Sequence, residues 1–386
     1  MKRVTGTFEC STVAGESVEA FIPHPLPPKD PPLDLGGELS SLLGRANESL
    51  RLLELAGDLV PSVEWFVYAF VRKEAVLSAQ IEGTQATLMD LLEVEASGEA
   101  PADADVEEVC GYVDALNFTW DEVGRADGLP LSMRLLSQAH ARLLSGARGA
   151  QKQPGEVRRS QNWIGGTRPG NAAFVPPPPH RLGALLSEFE RAIHDESELP
   201  PLIRVGLLHA QLETLHPYLD GNGRIGRLLI TLLLRHWDLL TRPLLYLSLF
   251  LKRQRQEYYR RLRAIRDEGD WEGWLSFFLE GVAEVADEAV ATARRLHVII
   301  GENRNRLLAR DDATVLSLRL FELLPDHPIL TVNRAMELLD CSRPAAAKAM
   351  RVLEAAEIVH ALDERKKNRT VLFEDYLAHL RQGTDI

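Results

Sequence analysis

His216-Pro217-Tyr218-Leu219-Asp220-Gly221-Asn222-Gly223-Arg224-Ile225-Gly226-Arg227 decides how the rest of this chain is read. Residues 201–215 ahead of it are apolar at helical spacing, and residues 225–237 behind it form a second apolar run. Pro217 lacks a backbone donor and disfavours helix at His216, so the chain turns there. Gly221 and Gly223 admit backbone angles closed to other residues. The second helix then opens with free N–H groups and a positive dipole end, a setting that binds phosphate. Arg224 and Arg227 are three apart and share a face near that end. Asp220, in the turn, offers a carboxylate that can hold Mg²⁺ against phosphate oxygens. His216 stands at the other lip, placed to take a proton from a hydroxyl. The plain alternative is a helix–turn–helix corner with surface arginines.

These twelve residues resemble the signature of the Fic family, His-x-Phe-x-(Asp/Glu)-Gly-Asn-(Gly/Lys)-Arg-x-x-Arg, with Tyr218 standing where the pattern has Phe. That aromatic residue is expected to pack inward, so the departure leaves the catalytic set intact. The resemblance implies an all-α fold with a Fic-type helical core, and transfer of AMP from ATP to a Ser, Thr or Tyr hydroxyl of a protein, with Mg²⁺ assisting. It implies His216 as the base, Asp220 at the metal, and Gly221, Asn222, Gly223, Arg224, Gly226 and Arg227 around the phosphates.

Composition sets outer bounds. A chain of 386 residues is long enough for two or three domains. The net charge of −12 argues against a protein that coats nucleic acid or an anionic membrane as a whole. Cys10, Cys110 and Cys341 are few and far apart, which fits a reducing cytoplasm and no disulfide framework. Residues 1–20 have no continuous apolar core and are not read as a secretory signal. No apolar run reaches the ~20 residues of a membrane span.

Residues 1–35 are proline-rich and weakly periodic, and read as an extended arm on the surface. Leucines recur at helical spacing over 39–56, and 66–79 is apolar at the same spacing. The second run ends in Ser78-Ala79-Gln80-Ile81-Glu82-Gly83-Thr84. Taken alone, this is a helix end with Thr84 or Thr87 capping the next helix. It also resembles the inhibitory-helix motif of Fic proteins, (Ser/Thr)-x-x-x-Glu-(Gly/Asn), through Ser78, Glu82 and Gly83. The resemblance places the Glu82 carboxylate against Arg227, a contact arginine can make with two parallel bonds. The acidic stretch 96–106 reads as a loop, followed by helices over 106–123 and 132–144, with Ser132 a candidate N-cap.

Residues 157–164 and 173–175 read as two short strands around the turn-rich segment 165–171. A surface loop closed by the prolines at 176–179 is the alternative. By resemblance, the 156–175 segment is a β-hairpin flap that holds the target protein by strand addition. His209, Glu213 and His216 share a helix face as metal ligands can, but zinc-protease spacing is missing, and His209 reads as a packed helix residue. By resemblance, Tyr258 or Tyr259 lies near the adenine. The aromatic stripe Trp271, Trp274, Phe277 and Phe278 reads as core of a long helix reaching about residue 307.

Residues 316–324, 332–339 and 342–355 read as three short helices. The β-prone segments 358–360 and 370–373 follow, flanking Asp363-Glu364-Arg365-Lys366-Lys367-Asn368-Arg369. This order resembles a winged helix–turn–helix module, with Arg343, Lys348 and Arg351 on or beside its recognition helix. The charge speaks against DNA: residues 311–386 hold ten Lys/Arg against thirteen Asp/Glu. A protein-contact or dimerisation module of the same fold is the equal alternative. The division expected is 1–105 for an N-terminal Fic-associated domain with the inhibitory helix, 106–308 for the catalytic core, and 309–386 for the winged module. Partners expected are a target protein along the flap, with self-modification, DNA through 312–380 and a homo-oligomer as further candidates. Two rival functions stay open: removal of AMP from a modified protein with Glu82 activating water, and DNA-binding regulation with the Fic core as sensor.

Overall fold

The computed structural model describes residues 3–59, 63–146, 148–362 and 369–385. Strands β1 (Gly6–Val13) and β2 (Glu16–Pro23) open the chain. Helices α1 (Gly37–Leu59), α2 (Val63–Ile81), α3 (Leu88–Ser97), α4 (Ala104–Gly124) and α5 (Met133–Leu143) follow. After a long irregular stretch come α6 (Pro179–His194), α7 (Pro201–Leu215), α8 (Asn222–His236), α9 (Ser248–Arg253), α10 (Arg255–Glu268) and α11 (Trp271–Leu308). The remainder is α12 (Val315–Leu323), β3 (Ile329–Thr331), α13 (Val332–Leu339), α14 (Arg343–Ala355), β4 (His360–Ala361), β5 (Thr370–Leu372) and α15 (Glu374–Leu380). The fold is mostly helical with small antiparallel sheets, as expected.

Helix α7 sits at the centre. Its residues are buried on nearly every face, from Leu202 to Leu215, as a helix apolar all round must be. It packs against α6, α8 and α11. Helix α11 carries the aromatic stripe into the core, where Trp274 donates its Nε1–H to Gly206 O on α7 at 2.9 Å. Helix α2 packs against α4, α8 and α9, which puts its C-terminal end beside the start of α8. Thr87 caps α3 in a reciprocal bond pair with Asp90, and Ser132 caps α5 through Leu135 N. No helix among the described residues is long and apolar enough to cross a membrane.

Two expectations change. The arm at 1–35 contains a hairpin: β1 pairs antiparallel with β2 from Gly6↔Pro23 to Val13↔Glu16. Its turn, Ala14-Gly15, holds both residues at positive φ. Val13, Val18 and Ala20 form a small cluster with Val175, and Phe21 N donates to Val175 O at 2.9 Å. The two strands expected at 157–164 and 173–175 reduce to one antiparallel bridge, Ile164↔Phe174. The segment before it is held by a buried arginine instead of a ladder.

At the C-terminal side, α12, α13 and α14 match the three expected helices. A three-stranded sheet in the order β3-β5-β4 joins them. Strand β3 and helix α15 were not anticipated. Arg343, Lys348 and Arg351 are exposed. The basic wing residues Arg365, Lys366 and Lys367 lie outside the described residues.

Candidate active site

The loop between α7 and α8 is braced from within. His216 caps α7 in the left-handed conformation (φ 48°, ψ 59°), and Pro217 turns the chain away. The Asn222 amide folds back on the loop: Oδ1 accepts Tyr218 N and Nδ2 donates to Tyr218 O, both at 2.8 Å. Asn222 thus shapes the loop with its side chain, and its backbone N–H and the second Nδ2 hydrogen are the donors left to meet a phosphate. Gly221 takes φ +74° at the start of α8, where a side chain would be strained. Asp220 Oδ1 accepts Gly221 N at 2.6 Å. The helical ladder begins with Ile225 N donating to Gly221 O at 3.0 Å. The N–H groups of Asn222, Gly223 and Arg224 precede that ladder and are the donors a helix start offers to an anion.

Tyr218 packs inward as expected. Its ring stacks on His140 with centroids 3.9 Å apart, and its hydroxyl meets Ser137 Oγ at 3.2 Å. The extra hydroxyl relative to Phe is therefore satisfied. His140 Nδ1 accepts Gly155 N at 2.8 Å, so Nε2 carries the proton it donates to Asp220 O at 3.0 Å. Burial pushes the His140 imidazole down to about 4, which keeps it neutral in this role.

The Ser78–Gly83 turn reaches the loop. Helix α2 tightens in its last turn, with Glu82 N bonding Ala79 O and Gly83 N bonding Gln80 O. That frees the Ser78 carbonyl, which accepts Arg227 Nη2 at 2.9 Å. Ser78 Oγ accepts Arg227 Nε at 2.9 Å, and Glu82 Oε1 accepts Nη2 at 2.7 Å. One bond to Glu82 stands where two parallel bonds were expected, and Ser78 takes two further donors through its hydroxyl and its carbonyl. Gly223 makes room: a Cβ there would lie 2.2 Å from Glu82 Oε1. Burial alone would raise the Glu82 carboxyl. Arg227, with help from Arg224, reverses this and holds it below the usual glutamate value.

Arg224 does not stand free beside Arg227. It is buried, donates to Glu108 Oε2 on α4 at 3.0 Å, and lies 3.5 Å from Asp220 Oδ1. Buried polar atoms without a partner among the described residues converge here: His216 Nδ1, Arg224 Nε and Glu213 Oε1. Burial, with the charge of Arg158 adding, pushes His216 down to about 4. Burial pushes Glu213 up to about 7, partly opposed by Arg227.

Arg158 and Asn162 were not singled out in the sequence. Arg158 is buried and donates to the backbone carbonyls of His216 (2.9 Å), Ser160 (3.1 Å) and Pro177 (2.6 Å). Asn162 Nδ2 donates to Tyr218 O at 3.1 Å. Both pin the flap to the loop, and neither belongs to a spacing pattern that would have marked it. Glu108 and His140 are also supplied from distant helices. His209 proves to be a packed residue: its Nδ1–H donates to Gly226 O, so Nε2 accepts from the Tyr258 hydroxyl, both at 2.9 Å. Tyr258 is buried, while Tyr259 is 42% exposed.

Residues 40–121 match the Fic/DOC family N-terminal model and residues 130–234 match the Fic/DOC family model. The protein adenylyltransferase Fic of Drosophila yakuba is 29% identical over 216 residues, 54% of this chain and 40% of that protein. The matched part of the chain thus spans less than half the length of the curated relatives. A Fic family protein from Desulfovibrio desulfuricans superposes with a TM-score of 0.58 at 21% identity, covering 89% of this chain and 98% of the other. A Fic domain containing signaling protein from Bacteroides thetaiotaomicron gives 0.52 at 17% identity, covering 67% and 97%. These two show likeness of fold. Residues 40–121 and 130–234, which hold the Ser78–Gly83 turn and the 216–227 loop, are thus similar to the Fic/DOC N-terminal and Fic/DOC domains.

Proposed function

We propose that this protein transfers AMP from ATP to a Ser, Thr or Tyr hydroxyl of a target protein, and that Glu82 restrains the transfer. The observation that carries this is the 2.7 Å contact of Glu82 Oε1 with Arg227 Nη2 beside the open N–H groups of α8. A carboxylate here occupies the guanidinium that a terminal phosphate would otherwise take. The name of the Drosophila relative, a protein adenylyltransferase, supports the reaction class.

In this reading the ATP phosphates lie over the N–H groups of residues 222–224, with Arg224 and Arg227 at the outer phosphates once Glu82 withdraws. Gly221 and Gly226 keep the loop and the first turn of α8 close. Asp220 is exposed, with Oδ1 engaged and Oδ2 unbonded among the described residues, which fits a Mg²⁺ ion held by one carboxylate and phosphate oxygens. Bound there, Mg²⁺ would neutralise charge on the phosphates. The target segment lies along the exposed Trp163–Ile164 edge of the flap. Its hydroxyl oxygen bonds the α-phosphorus, the bond to pyrophosphate breaks, and His216 takes the hydroxyl proton. His216 is suited to this because burial keeps it neutral down to about pH 4. Of the two tyrosines, Tyr259 has the ring surface free to stack on adenine.

Removal of AMP is a second reading of the same site. Glu82 keeps one oxygen unbonded and 36% of its side chain exposed, as activation of water would require. DNA binding through α14 rests on the exposed Arg343, Lys348 and Arg351. The test is incubation of the wild type and Glu82→Gly with a cell lysate and ATP labelled at the α-phosphate. Label covalently attached to protein is expected. Absence of label with both proteins, together with release of AMP from an AMP-modified protein, would replace transfer by removal.

A further inference from the structure

A cavity of about 370 Å³ lies between the N-terminal hairpin, the 169–175 return of the flap, and α10. Phe8, Phe21 and Phe174 form apolar walls, and α10 contributes Arg263, Arg266 and Asp267. The arginines differ. Arg263 donates to Asp267 Oδ2 at 2.7 Å. Arg266 is half-buried and has no hydrogen bond or ion pair among the described residues. Its guanidinium stacks 4.0 Å over the Phe174 ring. Burial pushes it down to about 10, the mark of a cation held partly out of water. Elsewhere the buried arginines Arg3, Arg158, Arg224 and Arg227 all engage carbonyls or carboxylates. Glu213 and His216 both feel the Arg266 charge, and Asp267 and Glu213 act on Arg266 in return.

We propose that this cavity is a subsite for the target protein, in which Arg266 receives the carboxylate of an Asp or Glu near the modified hydroxyl. This rests on the proposed AMP transfer for its setting, but not for its chemistry. A guanidinium lying flat on an aromatic face keeps its edge N–H groups free, and that fork matches a carboxylate. A half-desolvated cation without a partner gains more from an anion than an exposed one does. Glu19 also borders the cavity, but it is exposed, and solvent screens its repulsion. Phe8, 64% exposed, and Phe21 offer apolar surface to the stem of the entering side chain. An extended segment paired with the flap presents alternate side chains to one side, so one position would enter the cavity while another holds the hydroxyl.

The test uses arrays of peptides with a central Ser, Thr or Tyr, each flanking position varied among Asp, Glu, Ala and Lys. Full-length wild type, Arg266→Gln and Arg266→Glu are scored first for binding and then, with ATP, for AMP transfer. Wild type should favour an acid over Ala at one position by about tenfold in binding. Arg266→Gln should lose that preference, and Arg266→Glu should turn it toward Lys. No peptide binding, no acid preference, or an acid preference unchanged in Arg266→Glu overturns the subsite, whether or not AMP is transferred. Acid preference with charge reversal but no AMP on any peptide supports the subsite and counts against the transfer reaction.

Discussion

The 216–227 loop and the 157–175 flap face each other and are built by opposite means. The loop is closed by its own residues. Asn222 bonds Tyr218 in both directions, Asp220 bonds Gly221, and Gly221 supplies the one positive φ the turn into α8 needs. The flap is held by what it leans on. Arg158 grips the carbonyls of His216 and Pro177, Asn162 grips Tyr218 O, and Val175 O accepts from β2. A self-closed loop can carry chemistry in a fixed geometry. A leaning flap can be released or remodelled without unfolding the helices beneath it.

The loop side carries the largest expected effect. His216→Ala should lower the rate of AMP transfer by about 10²–10⁴, the usual worth of a placed general base. ATP binding should persist, because the donors of residues 222–224 are untouched. Initial rates of labelled AMP incorporation, together with an ATP titration, measure both. Equal rates for variant and wild type would mean that the loop holds phosphate only and the base lies elsewhere.

On the flap side, Arg158→Leu is the sharpest way to break the comparison. It leaves the carbonyls of His216, Ser160 and Pro177, the last of them in a buried bond, without this donor. A cost of about 2–4 kcal/mol in urea unfolding is expected. A loss below about 0.5 kcal/mol would show that the flap closes by itself, like the loop.

The same contrast explains what could be read from the sequence. The turn and helix start at 216–227 were legible because their geometry depends on neighbours within twelve residues. At Ser78, Glu82 and Gly83 the residues alone showed only a helix end, and the contact with Arg227 was expected through the family resemblance. The flap was not legible: the β-prone residues 157–164 are diverted by Arg158, whose partners lie up to 58 residues away. The β1–β2 hairpin was missed because Ala14-Gly15 is a weak turn signal and the adjoining prolines dominated the composition. Glu108 and His140 complete the site only through tertiary packing, and nothing local marks them.

Glu82→Gly tests whether α2 acts on the loop at all. A single charge-assisted bond is worth roughly 1.5–3 kcal/mol, so release of Arg227 should raise AMP transfer by about tenfold or more. Arg227→Ala should not mimic the gain, because it also removes the phosphate grip. Equal rates for wild type and Glu82→Gly would reduce Ser78–Gly83 to an ordinary helix end.

The last effect concerns Glu213, which lies on α7 one turn before His216 and shares the field of Arg227 with Glu82. Burial lifts its carboxyl to about 7, above its unfolded value, despite the opposing charge of Arg227. A carboxyl raised in the folded state binds its proton more tightly there than in the unfolded chain. Its stabilising contribution is therefore complete below the unfolded value near 4.5 and is lost as pH rises through about 7. Glutamine keeps the shape and cannot ionise. Between pH 5 and pH 8 the urea stability of Glu213→Gln should rise relative to wild type by about 2–3 kcal/mol. His140, His209 and His216, each lowered to about 4 by burial, destabilise both proteins alike as pH falls and cancel in the difference. A gap of equal size at both pH values would mean that Glu213 does not titrate in this window. Its carboxylate would then be ionised as in the unfolded chain, and Glu213 and Glu82 together would face the charge of Arg227.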